Sequence, residues 1–263
     1  MQESRLRVTY IGGPTALIEW GGLRLLTDPT FDPAGTEHAG PASTLTKTAG
    51  PAIDVATLGP VDVVLLSHDH HADNLDRAGR ETLESAGVVL TTTAGSKRLG
   101  GAAIGLEPWA SIGIEAPGGK ILRVTATPAR HGPVGGDRGP VIGFVLEFSR
   151  NGSDAVYVSG DTVAFEGVAE VALRHRIAVA FLFLGAAKVA AAGPSHLTMT
   201  AEEGATVAAV LPGAAIVPLH FEGWKHFSEG RAEIEAAFAA AGLTHRLHFI
   251  PPGRAEGLPT TVV

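Results

Sequence analysis

His68 and His70 stand two residues apart just beyond an apolar run at 61–66, within Ser67-His68-Asp69-His70-His71-Ala72-Asp73-Asn74. Side chains at i and i+2 of an extended backbone share a face, so two such imidazoles can reach one metal ion together. The same arrangement recurs three times: His131 follows an apolar run at 121–127, Asp161 follows 155–159, and His220 follows Ala215–Leu219. Any one of the 11 histidines could be a satisfied core or surface residue; imidazole or carboxylate at four successive strand ends points to a metal. There is no cysteine, which excludes disulfides, thiolate ligands, iron–sulfur clusters and a cysteine nucleophile, so nitrogen and oxygen must do the ligating. A divalent ion so held brings the pKa of bound water towards neutrality and polarises a carbonyl or phosphoryl oxygen. No Gly-x-Ser-x-Gly elbow, phosphate loop or dinucleotide fingerprint competes with that chemistry.

The elements that must position these groups follow from period and punctuation. Strands are predicted at 6–11, Thr15–Trp20 and Leu23–Thr27, joined by Gly12-Gly13-Pro14 and Gly21-Gly22 as a meander. Residues 31–59 turn to Gly, Pro, Thr and Ala without periodicity and read as a long excursion of the kind that often covers a site. Strands at 61–66, Val88–Thr92, 121–127, 141–148 and 155–159 come next. After Asp161, helices at 165–175, 201–211 and 229–241 alternate with strands at 178–184, Ala215–Leu219 and 246–250. Thr200-x-x-Glu203 reads as a capping box, and Gly242 as a helix stop. Meander first and helix–strand alternation later predict two stacked sheets with helices outside, an α/β (α+β) fold in one domain spanning residues 1–263.

Composition bounds the function. The chain has 263 residues, 45% of them hydrophobic, enough for a large core. With 20 basic against 27 acidic residues, a formal charge of −7, it has no general attraction for nucleic acid or anionic membranes. The longest apolar run, 177–187, is too short to span a bilayer, and the first residues lack a secretory pattern, so a cytoplasmic protein acting on a small molecule, without membrane or nucleic-acid partners, is expected. Oligomeric state is left open, a homo-oligomer included.

These residues resemble the metallo-β-lactamase superfamily, whose hallmark is His-x-His-x-Asp-His followed by a distant His, an Asp and a last His. The likeness runs from Tyr10-Ile11-Gly12-Gly13 and Leu26-Thr27-Asp28-Pro29 through Ser67-His68-Asp69-His70 and Ser159-Gly160-Asp161-Thr162 to Pro218-Leu219-His220-Phe221. Tyr157 to Thr162 is most similar to the ascorbate-6-phosphate lactonase-like branch. The resemblance implies a four-layer αβ/βα sandwich with the metal site at one edge, and hydrolysis of an ester, lactone, amide or phosphodiester. It assigns His68, His70 and His131 to a first ion, Asp161 as a bridging carboxylate, and Asp73 and His220 to a second. Asp73, Asp161 and His220 are then also the groups nearest the chemistry.

The chain departs from the pattern between His70 and Leu75. Read without a gap, Ala72 and Asp73 fall where the family has Asp and His; with one inserted residue, Asp73 matches the family Asp and Asn74 stands where a His belongs. Either way the second ion loses an imidazole and keeps Asp73. His71 is a substitute ligand, although alternation from His68 and His70 predicts that it points away. Asp28, Asp69 and Thr162 are candidates to orient ligating imidazoles, while Asp76 reads as a solvated charge or helix start. His196, Trp224, Lys225 and His226 are candidate substrate contacts, with Lys47 and Lys188 ranked below them.

The expected function is therefore a hydrolase using metal-activated water, most consistent with two ions and with zinc ahead of manganese or iron, on a small ester, lactone or phosphodiester rather than a β-lactam. Two other readings stand beside it: the same hydrolase with one ion, and a metal-binding regulator or scaffold with little turnover.

Overall fold

In the computed structural model, the described residues are 6–40, 43–136, 138–148 and 154–258. The chain opens with the predicted meander, β1 (Leu6–Gly12), β2 (Thr15–Trp20) and β3 (Leu23–Thr27), paired antiparallel in sequence order. The following excursion is not structureless. It contains a short hairpin, β4 (Glu37–Ala39) with β5 (Thr44–Thr46), and a 3-10 turn at Val55–Thr57. Next come β6 (Val63–Leu65), α1 (Arg77–Thr82), β7 (Val88–Thr92), α2 (Thr93–Leu99), β8 (Ala103–Leu106) and β9 (Ser111–Glu115). The second half runs through β10 (Ile121–Pro128), β11 (Ile142–Phe148), β12 (Ala155–Val158), α3 (Glu166–Arg174), β13 (Ile177–Phe183), α4 (Ala201–Val210), β14 (Ala215–Leu219), α5 (Arg231–Ala240) and β15 (Ala255–Leu258).

One sheet is ordered β15-β1-β2-β3-β6-β7-β8 and the other β14-β13-β12-β11-β10-β9. Between them lies a core built from inward side chains of both, including Ile18, Leu25, Phe144, Phe181 and Val217, all fully buried. A second cluster packs α3, α4 and α5 on the outer face of the six-stranded sheet through Val171, Ala208, Ile234 and Phe238. A third covers the seven-stranded sheet with Phe31, Leu58 and Leu75. The result is the expected α/β sandwich, with no helix among the described residues long and apolar enough to cross a membrane.

Two expectations change. Residues 246–250 form no strand: a 3-10 turn at Thr244–Arg246 and one bridge, Leu247 to Ile216, stand there instead. Arg246 is the reason, because its guanidinium donates to the carbonyls of Ala208, Leu211 and Ala214, closing the C-terminal end of α4. The strand that completes the seven-stranded sheet is β15, whose Ala-Glu-Gly-Leu sequence carries no alternation to reveal it. The Thr200–Glu203 capping box is present, with both reciprocal bonds at 3.1 Å.

For the site, strand direction matters most. β12, β13 and β14 run parallel, and β10 is antiparallel to β11, itself antiparallel to β12. The C-terminal ends of β10, β12 and β14 therefore emerge on one edge, where His131, Asp161 and His220 follow them.

Candidate metal centre

Each site residue occupies a loop that begins where a strand stops. Past β12 the backbone reverses at Gly160 (φ 61°), where a Cβ would come within 2.7 Å of the Ile142 carbonyl and 2.8 Å of Ser67. Only glycine fits this turn, which delivers Asp161 fully buried. His220 itself takes a left-handed φ of 53°, rare for a residue with a Cβ, and is held there by its N–H donating to the Gly13 carbonyl at 2.8 Å. Strain of this kind persists where the surroundings fix a side-chain direction.

The imidazoles of the first group converge. His68 Nε2 and His131 Nε2 lie 2.9 and 3.1 Å from His71 Nδ1. Their remote nitrogens are engaged outside the cluster: His131 Nδ1 with the Leu197 carbonyl at 2.9 Å, His68 Nδ1 with Ser67 Oγ at 2.9 Å, and His70 Nε2 with the Arg138 carbonyl at 2.8 Å. A carbonyl can only accept, so it places the proton on the nitrogen facing it and leaves the other lone pair of His131 and His70 free. Burial, reinforced by the neighbouring imidazoles, holds His68 far below the usual histidine range and His71 down to about 4. Neutral rings with inward lone pairs are what a cation requires.

The second group is acidic. Asp161 Oδ1 and Asp73 Oδ2 lie 2.9 and 3.4 Å from the two ring nitrogens of His220, yet neither contact has hydrogen-bond geometry, and Asp161 Oδ2 likewise has no partner. His68, His131 and Asp161 offer ligand atoms within 4.8 Å of one another; so do Asp73, Asp161 and His220, and so do His68, His70 and His71. Orphaned polar atoms this buried are costly unless a cation satisfies them, so this donor set fits one or two divalent ions.

Other candidates fall into distinct places. Asp28 Oδ1 accepts the Ser67 N–H at 2.6 Å, fixing the residue that touches His68; burial raises its pKa well above the ordinary carboxylate value, and the charge of Asp161 adds to this. Thr162 accepts from the Arg130 N–H at 3.0 Å and so positions the His131 loop rather than an imidazole. Asp69 is buried in a bidentate pair with Arg98 at 2.5 and 2.8 Å, and its nearest approach to His70 is 4.0 Å. Asn74 donates to Asp161 Oδ1 at 3.2 Å, while its own Oδ1 has no partner. His226 Nε2 lies 2.9 Å from Asp73 Oδ2 and lines a cavity together with His70, His71 and His131.

His196 instead pairs with Glu203, Lys225 is exposed, and Trp224 is buried against Lys47 and His38, behind the wall of that cavity and not lining it. Lys188 is exposed. Lys47 is buried and bound to Asp76, which is neither solvated nor free but caps α1.

The cavity beside the histidines, about 400 Å³, is walled by Leu45, Ala187, Val189 and Leu197 together with His38 and Arg138. Sequence reasoning missed His38 and Arg138. His38 sits in an aperiodic excursion, and Arg138 enters a turn whose only signal was its glycines.

The Beta-lactamase superfamily domain family matches residues 23–221. The chain belongs to the metallo-β-lactamase superfamily. An uncharacterised protein of Mycobacterium tuberculosis is 40% identical over 75 residues, 28% of this chain and 19% of that protein, so the match spans about a fifth of the length of the first curated relatives. A metal-dependent hydrolase of Caldivirga maquilingensis is 24% identical across 95% of this chain and 97% of its own. Among solved structures, an isothiocyanate hydrolase from Delia radicum gut bacteria superposes with a TM-score of 0.80 at 21% identity, covering 97% of this chain and all of that one. That likeness shows a shared fold.

In metal-free protein, burial pushes the pKa of His220 down, but the Asp161 and Asp73 carboxylates more than offset this and raise it from 6.5 to about 10. A group raised on folding stabilises fully below its unfolded pKa and ceases to as pH climbs through the folded one. Chelator-treated protein is thus expected to lose thermal stability progressively from about pH 6.5 to 10, whereas metal-loaded protein, whose His220 is held neutral by the ion, shows a flatter profile. Melting curves at half-unit steps check this; parallel profiles with and without metal would contradict the pairing.

Proposed function

We propose that this chain, as one domain, is a metal-dependent hydrolase with a dinuclear centre acting on a small, largely uncharged ester or lactone. The observation that carries the reading is the clustering of His68, His70, His131, Asp73, Asp161 and His220, of which His70, His131 and Asp73 line a cavity whose wall is mainly apolar. The ions would supply an activated water and polarise the scissile carbonyl. His68, His70 and His131 are assigned to the first ion; Asp73, Asp161 and His220 to the second. His226 orients Asp73, and Asp28 orients His68 through Ser67.

Substrate class follows from the cavity wall. Leu45, Ala187, Val189 and Leu197 make the wall mainly apolar, with Arg138 its one lysine or arginine among the described residues, so a small, largely uncharged carbonyl compound suits it. Membership of the superfamily and the full-length match to a metal-dependent hydrolase support the reaction type. The Tyr157–Thr162 segment supports a place near the lactonase-like branch, and the carboxylate-rich second group admits manganese or iron as well as zinc. A cytoplasmic location accords with the sequence expectation.

The test is hydrolysis of p-nitrophenyl acetate, a γ-lactone and bis(p-nitrophenyl) phosphate before and after exhaustive chelation, with metal quantified per chain. Turnover of the ester or lactone that vanishes on chelation and returns with Zn²⁺ or Mn²⁺ is expected. Metal-dependent turnover confined to the phosphodiester would overturn the substrate class, and undiminished turnover without metal would overturn the mechanism.

A further inference from the structure

Resting on that reading, we infer that Arg138 sets the substrate's specificity: the cavity takes an ester or lactone that carries a single carboxylate on an otherwise uncharged frame, and the Arg138 guanidinium receives that carboxylate. The first observation is that this cation has no partner. Arg138 is half-buried and lines the cavity beside His70, His131 and Asp73. Its Nε is buried and makes no hydrogen bond, and no described carboxylate forms an ion pair with it. Asp73, the one carboxylate among the described residues lining the same cavity, is engaged by His226 Nε2 at 2.9 Å.

The second observation is that Arg138 is tied to the histidine cluster at two points. Its N–H donates to the His131 carbonyl at 2.9 Å, and its own carbonyl accepts from His70 Nε2 at 2.8 Å. These two histidines follow different strands, β10 and β6. The root of the side chain therefore keeps one place relative to the candidate ligands, which is what a group that orients a substrate against a reacting centre requires.

Third, arginines nearby in the fold are committed to protein groups where this one is not. Arg98 is bonded to Asp69, and Arg246 gives its guanidinium to three carbonyls. Arg130, which lines a separate groove, lays its guanidinium 4.7 Å from the Phe165 ring. A partly buried cation without a counter-charge is costly, and a carboxylate offers two acceptors that match the guanidinium fork. One guanidinium neutralises one such group, while Leu45, Ala187, Val189 and Leu197 accommodate the apolar remainder. Binding energy from the remote carboxylate then holds the scissile carbonyl in place.

Matched esters test this on metal-loaded protein: phenyl acetate against its carboxylate-bearing forms, meta- and para-acetoxybenzoate. The wild-type chain is expected to favour a carboxylate form by about tenfold or more in kcat/KM, chiefly through KM. Arg138→Gln should abolish that preference by raising KM for the carboxylate, Arg138→Lys should keep part of it, and Arg130→Gln should leave it as it is. Calorimetric binding of acetophenone against meta- and para-acetylbenzoate, ketones of the same shape, should give the same order without turnover. Where the esters are turned over, a carboxylate preference undiminished in Arg138→Gln, or none in the wild type, would overturn the assignment while leaving the hydrolase standing. No ester hydrolysed, with the acetylbenzoate preference present and then lost in Arg138→Gln, would overturn the hydrolase reading and support Arg138 as the carboxylate's site.

Discussion

Replacing Asp161 by Asn is expected to cut metal-dependent hydrolysis about a thousandfold, equivalent to roughly 4 kcal/mol of transition-state stabilisation, and to lower bound metal from about two equivalents to one. Asp161 is fully buried and belongs to both the first and the second groups of candidate ligands. Its Oδ1 is shared by His220 and Asn74, and its Oδ2 has no hydrogen-bond partner although it lies 3.5 Å from His131 Nε2. An amide keeps the size and removes the charge, so packing is preserved while the second ion loses one of only two carboxylates. Neighbouring charges hold the Asp161 pKa far below the ordinary carboxylate value against the opposing effect of burial, so the group is ionised and ready for a cation at any working pH.

Metal counting separates the outcomes. One remaining equivalent with the large rate loss supports the dinuclear assignment. Two retained equivalents with the same loss would show that Asp161 acts on the substrate side rather than as a ligand. Unchanged rate and stoichiometry would remove Asp161 from the centre altogether.

The parts of the site legible in the sequence were those delivered by strand ends. Long apolar runs with turn residues behind them announce β10, β12 and β14, and the first residue with chemistry after each is a candidate whatever the loop does next. Legibility failed where direction depended on backbone that no period describes. His71 was expected to face away on the assumption of an extended chain, yet residues 67–75 turn. Asp69 is buried because Arg98, distant in sequence, comes to it; Asp76 caps α1, the helix start that was one of its two readings, but its buried pairing with Lys47 has no local signal. The short elements α2, β8 and β9 escaped for the same reason: their formation is set by the sheet they pack on rather than by local propensity.

The largest stability effect is expected at Asp76, the anchor of the excursion that walls the cavity. Its carboxylate accepts the N–H groups of Phe31, Asp32 and Gly79 at 2.9, 2.7 and 2.8 Å and the Lys47 ammonium at 2.8 Å. One side chain thus caps α1, pins the start of the excursion and neutralises a lysine only 3% exposed. Asp76→Ala leaves three buried donors and a buried cation unpartnered, which should cost about 4 kcal/mol and lower Tm by roughly 10 °C for a chain of this size. Lys47→Met should cost distinctly less, about 1–2 kcal/mol, because the carboxylate keeps its three N–H donors and the methionine can still pack on Trp224. Burial already depresses the Lys47 pKa, with Asp76 opposing the shift, so the ammonium contributes less than an exposed pair of the same geometry would suggest. Chemical denaturation of both variants gives the order. Equal losses, or a larger loss for Lys47→Met, would show that the excursion is held by charge attraction rather than by the carboxylate's bonds to the backbone.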